Sequence, residues 1–568
     1  MLKKRAKYVA VSAAGVLGLS LGLAACGGGD GGGSSSANTL TIVAEDPIDH
    51  LDPQRIYVGE TISHTTRLVY RKLLSNPSST DPKVSSKPIP DLATDEGTSA
   101  DGAKTWSFTV KDGVKWEDGS EITCEDFAYG ASRNFAADEL TGGPGFYLTA
   151  KLALKGEYPG PYAATPEQQA DFDQAVTCDG KTITYKFKTP WPDFPLAISS
   201  LHMMDPYKES FDKGAKNDDK IFSNGPYKVD TWNAQKGGTL VRNDEYDPET
   251  DDKSLREAKP DKVVFKFGEK ASTIYEKLFS DSPDSQKTIV SGSRVPPEFF
   301  PRLTEAGVKD RYVQVQSPYV DYLVPNQNQM KDPNVRKALA QATDVESWIA
   351  AGGGEKAYTP ADSVVNPAVP GYVANPAYKD RNLKGDPAAA KKTLADAGVK
   401  TPYPITFTYP QSDTLDKQAA ALVQGWEAAG FKVTLDPLGD VYYSNIQKPS
   451  NKADVMWGGW GADWGSAMTV TAALFDSRQI EKNTNGQNYG NYSNPAVDKL
   501  FDQAANSATI EEQNKFLQEA DAVMGEDVAY IPLEIATFNW VRGSKVKGFV
   551  TTDASSSYPD LATIDVED

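Results

Sequence analysis

The residues best suited to chemistry fall in one segment, residues 453–467, which reads ADVMWGGWGADWGSA. Trp457, Trp460 and Trp464 are interleaved with Gly458, Gly459, Gly461 and Gly465, and one acid, Asp463, sits among them. Glycine lets a backbone or a ligand approach closely. Tryptophan supplies flat apolar walls and a single donor. A carboxylate between such walls is poorly hydrated, so it either holds a cation or is driven toward protonation. Together these residue types describe a ligand cleft with a cationic anchor. They also fit a plainer reading, in which the tryptophans are core and Asp463 is a turn residue.

Other chemistry finds little support. His50, His64 and His202 are scattered, and the chain has 3 Cys in all, so neither a histidine-based metal site nor a cofactor is expected. The chain has no Gly-x-Ser-x-Gly elbow and no His-Glu-x-x-His pair. Acids are abundant, but spacing in sequence does not bring two carboxylates face to face. An extracellular hydrolase is therefore the disfavoured alternative, and a binding protein is expected.

Charge and length narrow the class. The chain has 568 residues and a formal net charge of -19. That length calls for two or three domains. The acidic balance argues against nucleic-acid binding and against adhesion to anionic lipid through basic patches. The N-terminus carries Lys3, Lys4, Arg5 and Lys7, then an apolar, small-residue run over 9–23, then Leu23-Ala24-Ala25-Cys26 and a Gly/Ser-rich stretch to residue 38. The run is short for a membrane span. Leu-Ala-Ala-Cys resembles a bacterial lipobox, which implies cleavage after residue 25 and lipid on Cys26. Two or more acyl chains hold a protein stably at a membrane, and residues 26–38 would be the tether. Cys124 and Cys178 remain. In an exported chain such a pair points to a disulfide, with two buried free thiols as the other reading.

The elements that must position Asp463 can be read coarsely. Residues 40–44 form a strand and 60–74 a helical segment. Residues 106–110 and 182–188 alternate as half-buried strands do, with a short strand at 114–116. Thr123 opens a helix to Arg133 with Asp126 as capping partner. Strands follow at 239–242, 263–267 and 288–290, with a helix at 271–279. Beyond residue 319 the pattern becomes α/β: a helix at 334–343, another from Pro387 to Gly398, a strand at 405–409, a helix at 414–429 stopped by Gly430, and a strand at 431–435. A strand–helix–strand unit of this kind closes right-handed with parallel strands. Residues 453–457 read as the next strand. Ligands of open α/β sheets bind beyond the carboxyl ends of strands, and Asp463 lies just past this one.

Several stretches, in order, resemble one family: the large extracytoplasmic solute-binding proteins of ABC importers, of the oligopeptide- and dipeptide-binding type (family 5). They are Leu51-Asp52-Pro53, TWSFTVKDGVKWEDGSEITCED over 105–126, SNGPY over 223–227, Val241-Arg242-Asn243-Asp244-Glu245-Tyr246, the helix from Pro333, and the stretches 387–398 and 513–532. The resemblance implies an α/β, two-lobed periplasmic-binding-protein-like fold of type II with an extra subdomain. The first lobe would comprise 37–68, 186–318 and 533–568, the subdomain 69–185, and the second lobe 319–532. Crossings near 316–324 and 532–535 would form the hinge. It also implies a monomer that captures oligopeptides and delivers them to an ABC permease, lipid-anchored on the outer face of the membrane. In peptide-binding members an aspartate after Gly-Trp-x-Ala holds the ligand's α-ammonium, and Gly459-Trp460-Gly461-Ala462-Asp463 is similar to that segment. Gly459 and Gly461 would pair with the peptide main chain. Gly59 and Tyr147 lie near other family contact positions. Some oligopeptide binders carry a basic residue where Trp457 stands here, which helps hold a peptide carboxylate. Trp457, Trp460 and Trp464 fit an oligosaccharide's rings as well as a peptide's side chains, so the same fold binding sugar or another solute is the alternative.

Overall fold

The computed structural model describes residues 38–567; the leader, Cys26 and nearly all of the tether lie outside them. Three sheets carry the architecture. The first lobe is built on a five-stranded sheet in which Thr39–Ala44 runs parallel to Lys262–Phe267 and Thr288–Val290. The subdomain holds a four-stranded antiparallel sheet around Thr105–Thr109 and Thr182–Lys186. The second lobe is a six-stranded mixed sheet. The α/β, two-lobed reading is therefore the architecture observed.

Local chemistry explains most elements. In the second lobe, Tyr403–Pro410 pairs in parallel with Phe431–Leu438 across the helix Asp413–Ala429. Ser412 caps that helix, and Gly430 ends it at φ +105°, a conformation that disfavours any side chain. In the subdomain the N–H of Thr123 donates to Asp126 Oδ2 at 2.9 Å, and Trp116, 1% exposed, donates to the same oxygen at 3.2 Å. Cys124 and Cys178 form a disulfide that ties helix Cys124–Arg133 to strand Val176–Asp179. Arg133 reaches from this helix to Asp52, with bonds of 2.9 and 2.6 Å, and so fastens the subdomain to the turn at 51–53.

Three expectations need correction. The first helix is Gly59–Leu68, not 60–74. Val69 and Tyr70 both donate to Thr65 O, and the next turn is captured elsewhere: Asn224 Oδ1 accepts from Arg71 N at 2.7 Å and its Nδ2 donates to Arg71 O at 3.2 Å. Gly225 makes this possible, since a Cβ there would lie 2.9 Å from the backbone of Leu68 and Val69. Residues 114–116 form only an isolated bridge, Lys115↔Glu121, because the chain turns back at once. The strand expected at 453–457 is instead Val455–Gly461 and runs through the glycines.

Two long strands connect the lobes. Tyr312–Pro325 and Ile531–Val541 pair antiparallel along most of their length, with register shifts at Gln316/Val320 and Asp321/Tyr322. Val541 packs in a core of the first lobe, while Leu323, Ile531 and Leu533 pack in the second. The shift between Gln316 and Val320 falls between these cores, and the second, at Asp321/Tyr322, sits at the edge of the second-lobe core, where Leu533 is the extra residue.

Candidate functional site

The tight spot of the 453–467 segment is assembled from three parts of the chain. Strand Val455–Gly461 delivers the turn that follows it. Asp463 N–H donates to Thr469 Oγ1 at 3.1 Å, and Trp460 Nε1–H donates to Thr469 O at 2.9 Å. These bonds fold the turn back and point it at the other lobe. There Asp463 Oδ2 accepts from Tyr57 at 2.8 Å and from Tyr147. Tyr147 sits on helix Phe146–Lys151 of the subdomain. The next residue goes deeper: Trp464, 5% exposed, joins the subdomain core, donates to Asp193 Oδ2 at 2.6 Å, and meets the Tyr147 ring edge-on at 4.6 Å between centroids.

The electrostatics of Asp463 follow from this packing. Burial pushes its carboxyl up to about 6, while the hydrogen bonds from Tyr147 and Tyr57 act the other way. Burial and the nearby Asp463 charge hold both phenols far above their ordinary range, so they remain neutral donors. Among the described residues no lysine or arginine pairs with Asp463, and its Oδ1 takes no hydrogen bond. Asp463 lines an interlobe cavity of about 510 Å³, together with Ile62, Ser63, Leu196, Gln316 and Asn366.

Beside this anchor lies an open strand edge. Strand Tyr403–Pro410 pairs with the glycine strand only at Val455 and Met456, so 457–461 has a strand neighbour on one side alone, Tyr312–Pro325. In antiparallel pairs, opposed residues alternate between exchanging both main-chain bonds and exchanging none. Just beyond the pair, Asn326 N–H donates to Asp454 O at 2.8 Å, which puts the bond-exchanging positions at 456, 458 and 460; in keeping with this, Tyr319 N–H, opposite Gly461, donates to Ser317 Oγ, and Trp457 O accepts from Tyr442 Oη. The main-chain groups of Gly459 and Gly461 therefore face the open edge. The glycines are also needed for packing: a Cβ at Gly461 would lie 2.7 Å from the Tyr319 ring, and at Gly458 2.7 Å from that of Tyr322.

The structure thus brings Tyr147, Asp463 and Trp464 together, with Gly459, Trp460 and Gly461 on the strand leading to them. Trp460 and Trp457 pack partly against the second-lobe core. Gly59 opens helix Gly59–Leu68 and lies under the crossing strand, where a Cβ would be 3.2 Å from Tyr319 Oη. Sequence reasoning missed Tyr57 and Asp193; nothing local marks either, because their partners lie 406 and 271 residues away. Among the described residues no group of His, Cys, Asp and Glu is placed to hold a metal ion, and no helix is long and apolar enough to cross a membrane.

A sequence model of the bacterial extracellular solute-binding proteins, family 5 (middle region), matches residues 87–482. The chain is 24% identical over 486 residues to the oligopeptide-binding protein OppA of Bacillus subtilis, covering 83% of this chain and 84% of that protein. It is 22% identical over 479 residues to the periplasmic murein peptide-binding protein MppA of Escherichia coli, covering 81% of each. Among solved structures, a clavulanic acid biosynthesis oligopeptide binding protein 2 superposes with a TM-score of 0.85 at 24% identity, over 93% of this chain and 95% of that one. Haemophilus influenzae OppA in complex with RPPGFSPFR superposes with a TM-score of 0.69 at 19% identity, over 94% and 99%.

Proposed function

The chain belongs to family 5 of the bacterial extracellular solute-binding proteins, and from that premise we propose that it captures oligopeptides between its lobes and delivers them to an ABC importer. The observation that carries this reading is the pairing of Asp463 with the open edge of Val455–Gly461. A peptide's α-ammonium needs a carboxylate when it is buried, because an unpaired buried charge costs several kcal/mol. Asp463 supplies one, with Oδ1 uncommitted and no cation of the protein's own beside it. The peptide main chain needs donors and acceptors, and Gly459 and Gly461 supply them as an added strand would use them. Tyr57 and Tyr147 orient the carboxylate, and Gly59 keeps Tyr319 close at the crossing. Relatives named for oligopeptides and a murein peptide support the same ligand class.

The lobes divide as 37–68, 186–318 and 533–568 against 319–532, with Leu533 at the boundary packing into the second, 69–185 as the subdomain and the two crossing strands as hinge. Cys26 carries the lipid that holds a monomer at the outer face of the membrane, within reach of its permease. The protein binds and does not catalyse. The oligosaccharide alternative draws less support: Trp464 is spent in the subdomain core, and Trp460 has its indole N–H bound.

Mass spectrometry of small molecules released by denaturing freshly purified protein tests the ligand class. Peptides are expected, and the stripped protein should then bind di- to hexapeptides with Kd on the order of micromolar, about -8 kcal/mol. Release of oligosaccharide, with calorimetric binding of sugars and not of peptides, would overturn the reading.

A further inference from the structure

A second carboxylate faces the glycine strand. Asp321, on Tyr312–Pro325, is in register with Gly459 on one side and with Glu534 on the other. Registered neighbours share a face of a sheet, so the three stand in one row. Asp321 leans over the glycine: a Cβ at Gly459 would lie 2.8 Å from Asp321 Oδ1. Among the described residues Asp321 makes no hydrogen bond and no ion pair. Arg294, whose charge it feels, is instead stacked on Phe538, 4.5 Å from the ring centroid. Glu534 is 1% exposed; its Oε1 accepts from Gln418 Nε2 at 3.1 Å, and the Trp348 indole stands beside its carboxylate. Two neighbouring acids, one of them buried, with no cation paired to either, form a costly arrangement that a cation relieves.

We propose that Asp321, backed by Glu534, is a subsite for a basic side chain, so that the protein prefers peptides with lysine or arginine at the second or third residue. The proposal rests on the peptide reading above. With the ammonium at Asp463, a ligand running back along the open edge passes Gly459 about 7 Å beyond Gly461. The ligand strand would lie about 4.8 Å from Gly459, and Asp321 about 4.5 Å farther on. Gly459 has no side chain, but the Trp457 ring lies over it, 2.8 Å from where its Cβ would be, so a lysine or arginine stem reaches Asp321 by running along that ring. Its cation then meets Asp321, while an acidic side chain would meet repulsion.

Calorimetry of stripped protein with Ala-Lys-Ala and Ala-Ala-Lys, against the same peptides with norleucine for lysine, tests this. At least one lysine peptide should bind about tenfold or more tightly than its norleucine counterpart, in the range of close charge pairs. Asp321→Asn should abolish the preference and leave norleucine binding nearly unchanged. Glu534→Gln, which keeps the bond to Gln418, should reduce the preference and gives the same readout should the first variant not fold. Equal binding of lysine and norleucine peptides, or a preference that survives Asp321→Asn, overturns the subsite and leaves peptide capture standing. Failure of every peptide to bind overturns both.

Discussion

Burial pushes the Asp463 carboxyl up to about 6, against the two phenols that donate to it. A folded pKa above the unfolded value of about 3.9 means that the native state holds more protons between about pH 4 and 6. Stability of the ligand-free protein therefore falls as pH rises through that window, by up to about 1.4 kcal/mol per pH unit while the group titrates. Asp521, also held at about 6 by burial, adds to the same slope, so Asp463→Asn should reduce the slope without removing it. Peptide affinity runs the other way. A ligand ammonium needs the ionised carboxylate, so affinity should weaken by up to about tenfold per pH unit below about 6. Titration calorimetry between pH 5 and 7.5 checks this; a pH-independent Kd would contradict the assignment. Asp463 was legible because its own neighbours mark it. Tyr57 was not: it is one of 26 tyrosines, and its role exists only once distant segments meet.

At the scale of elements, the glycine strand was the hardest to read. Glycine is depleted in strands, so the pattern stops at Trp457, whereas the strand continues to Gly461. The reason lies across the sheet: Tyr319, Asp321 and Tyr322 fill the space that side chains at 461, 459 and 458 would need. Gly461→Ala should accordingly cost about 1–3 kcal/mol by overpacking against Tyr319. It should also weaken peptide binding by distorting the open edge. Thermal unfolding and titration together measure this; an unchanged Tm with unchanged affinity would show that the edge tolerates a side chain and is not a ligand strand's partner. The parallel pair Tyr403–Pro410 and Phe431–Leu438 was legible for the opposite reason, since caps and the Gly430 stop are local signals. Helix Gly59–Leu68 was read too long because Asn224, far along the chain, takes over the backbone after Tyr70.

At the scale of the molecule, ordered motifs carried the two-lobed fold, and the contacts between lobes lay beyond them. Asp463 and Trp464 of the second lobe are held by Tyr57, Tyr147 and Asp193 from the other side of the cleft. The register shift between Gln316 and Val320 in the crossing strands lies between the cores, where a hinge can absorb dihedral change while both bodies stay rigid. A ligand drives closure only to the extent that it binds the closed form better than the open one. An ammonium on Asp463 does so, because this carboxylate meets both lobes at once. On the proposed function, Asp463 holds the free amino terminus of a peptide. Calorimetry of stripped protein with one tetrapeptide, free and N-acetylated, tests it most directly. The free peptide should bind about a hundredfold more tightly, the order expected for a charge-assisted hydrogen bond of up to about 3 kcal/mol, and Asp463→Asn should remove most of the difference. Equal affinity for the free and acetylated peptides in the wild-type protein would contradict it.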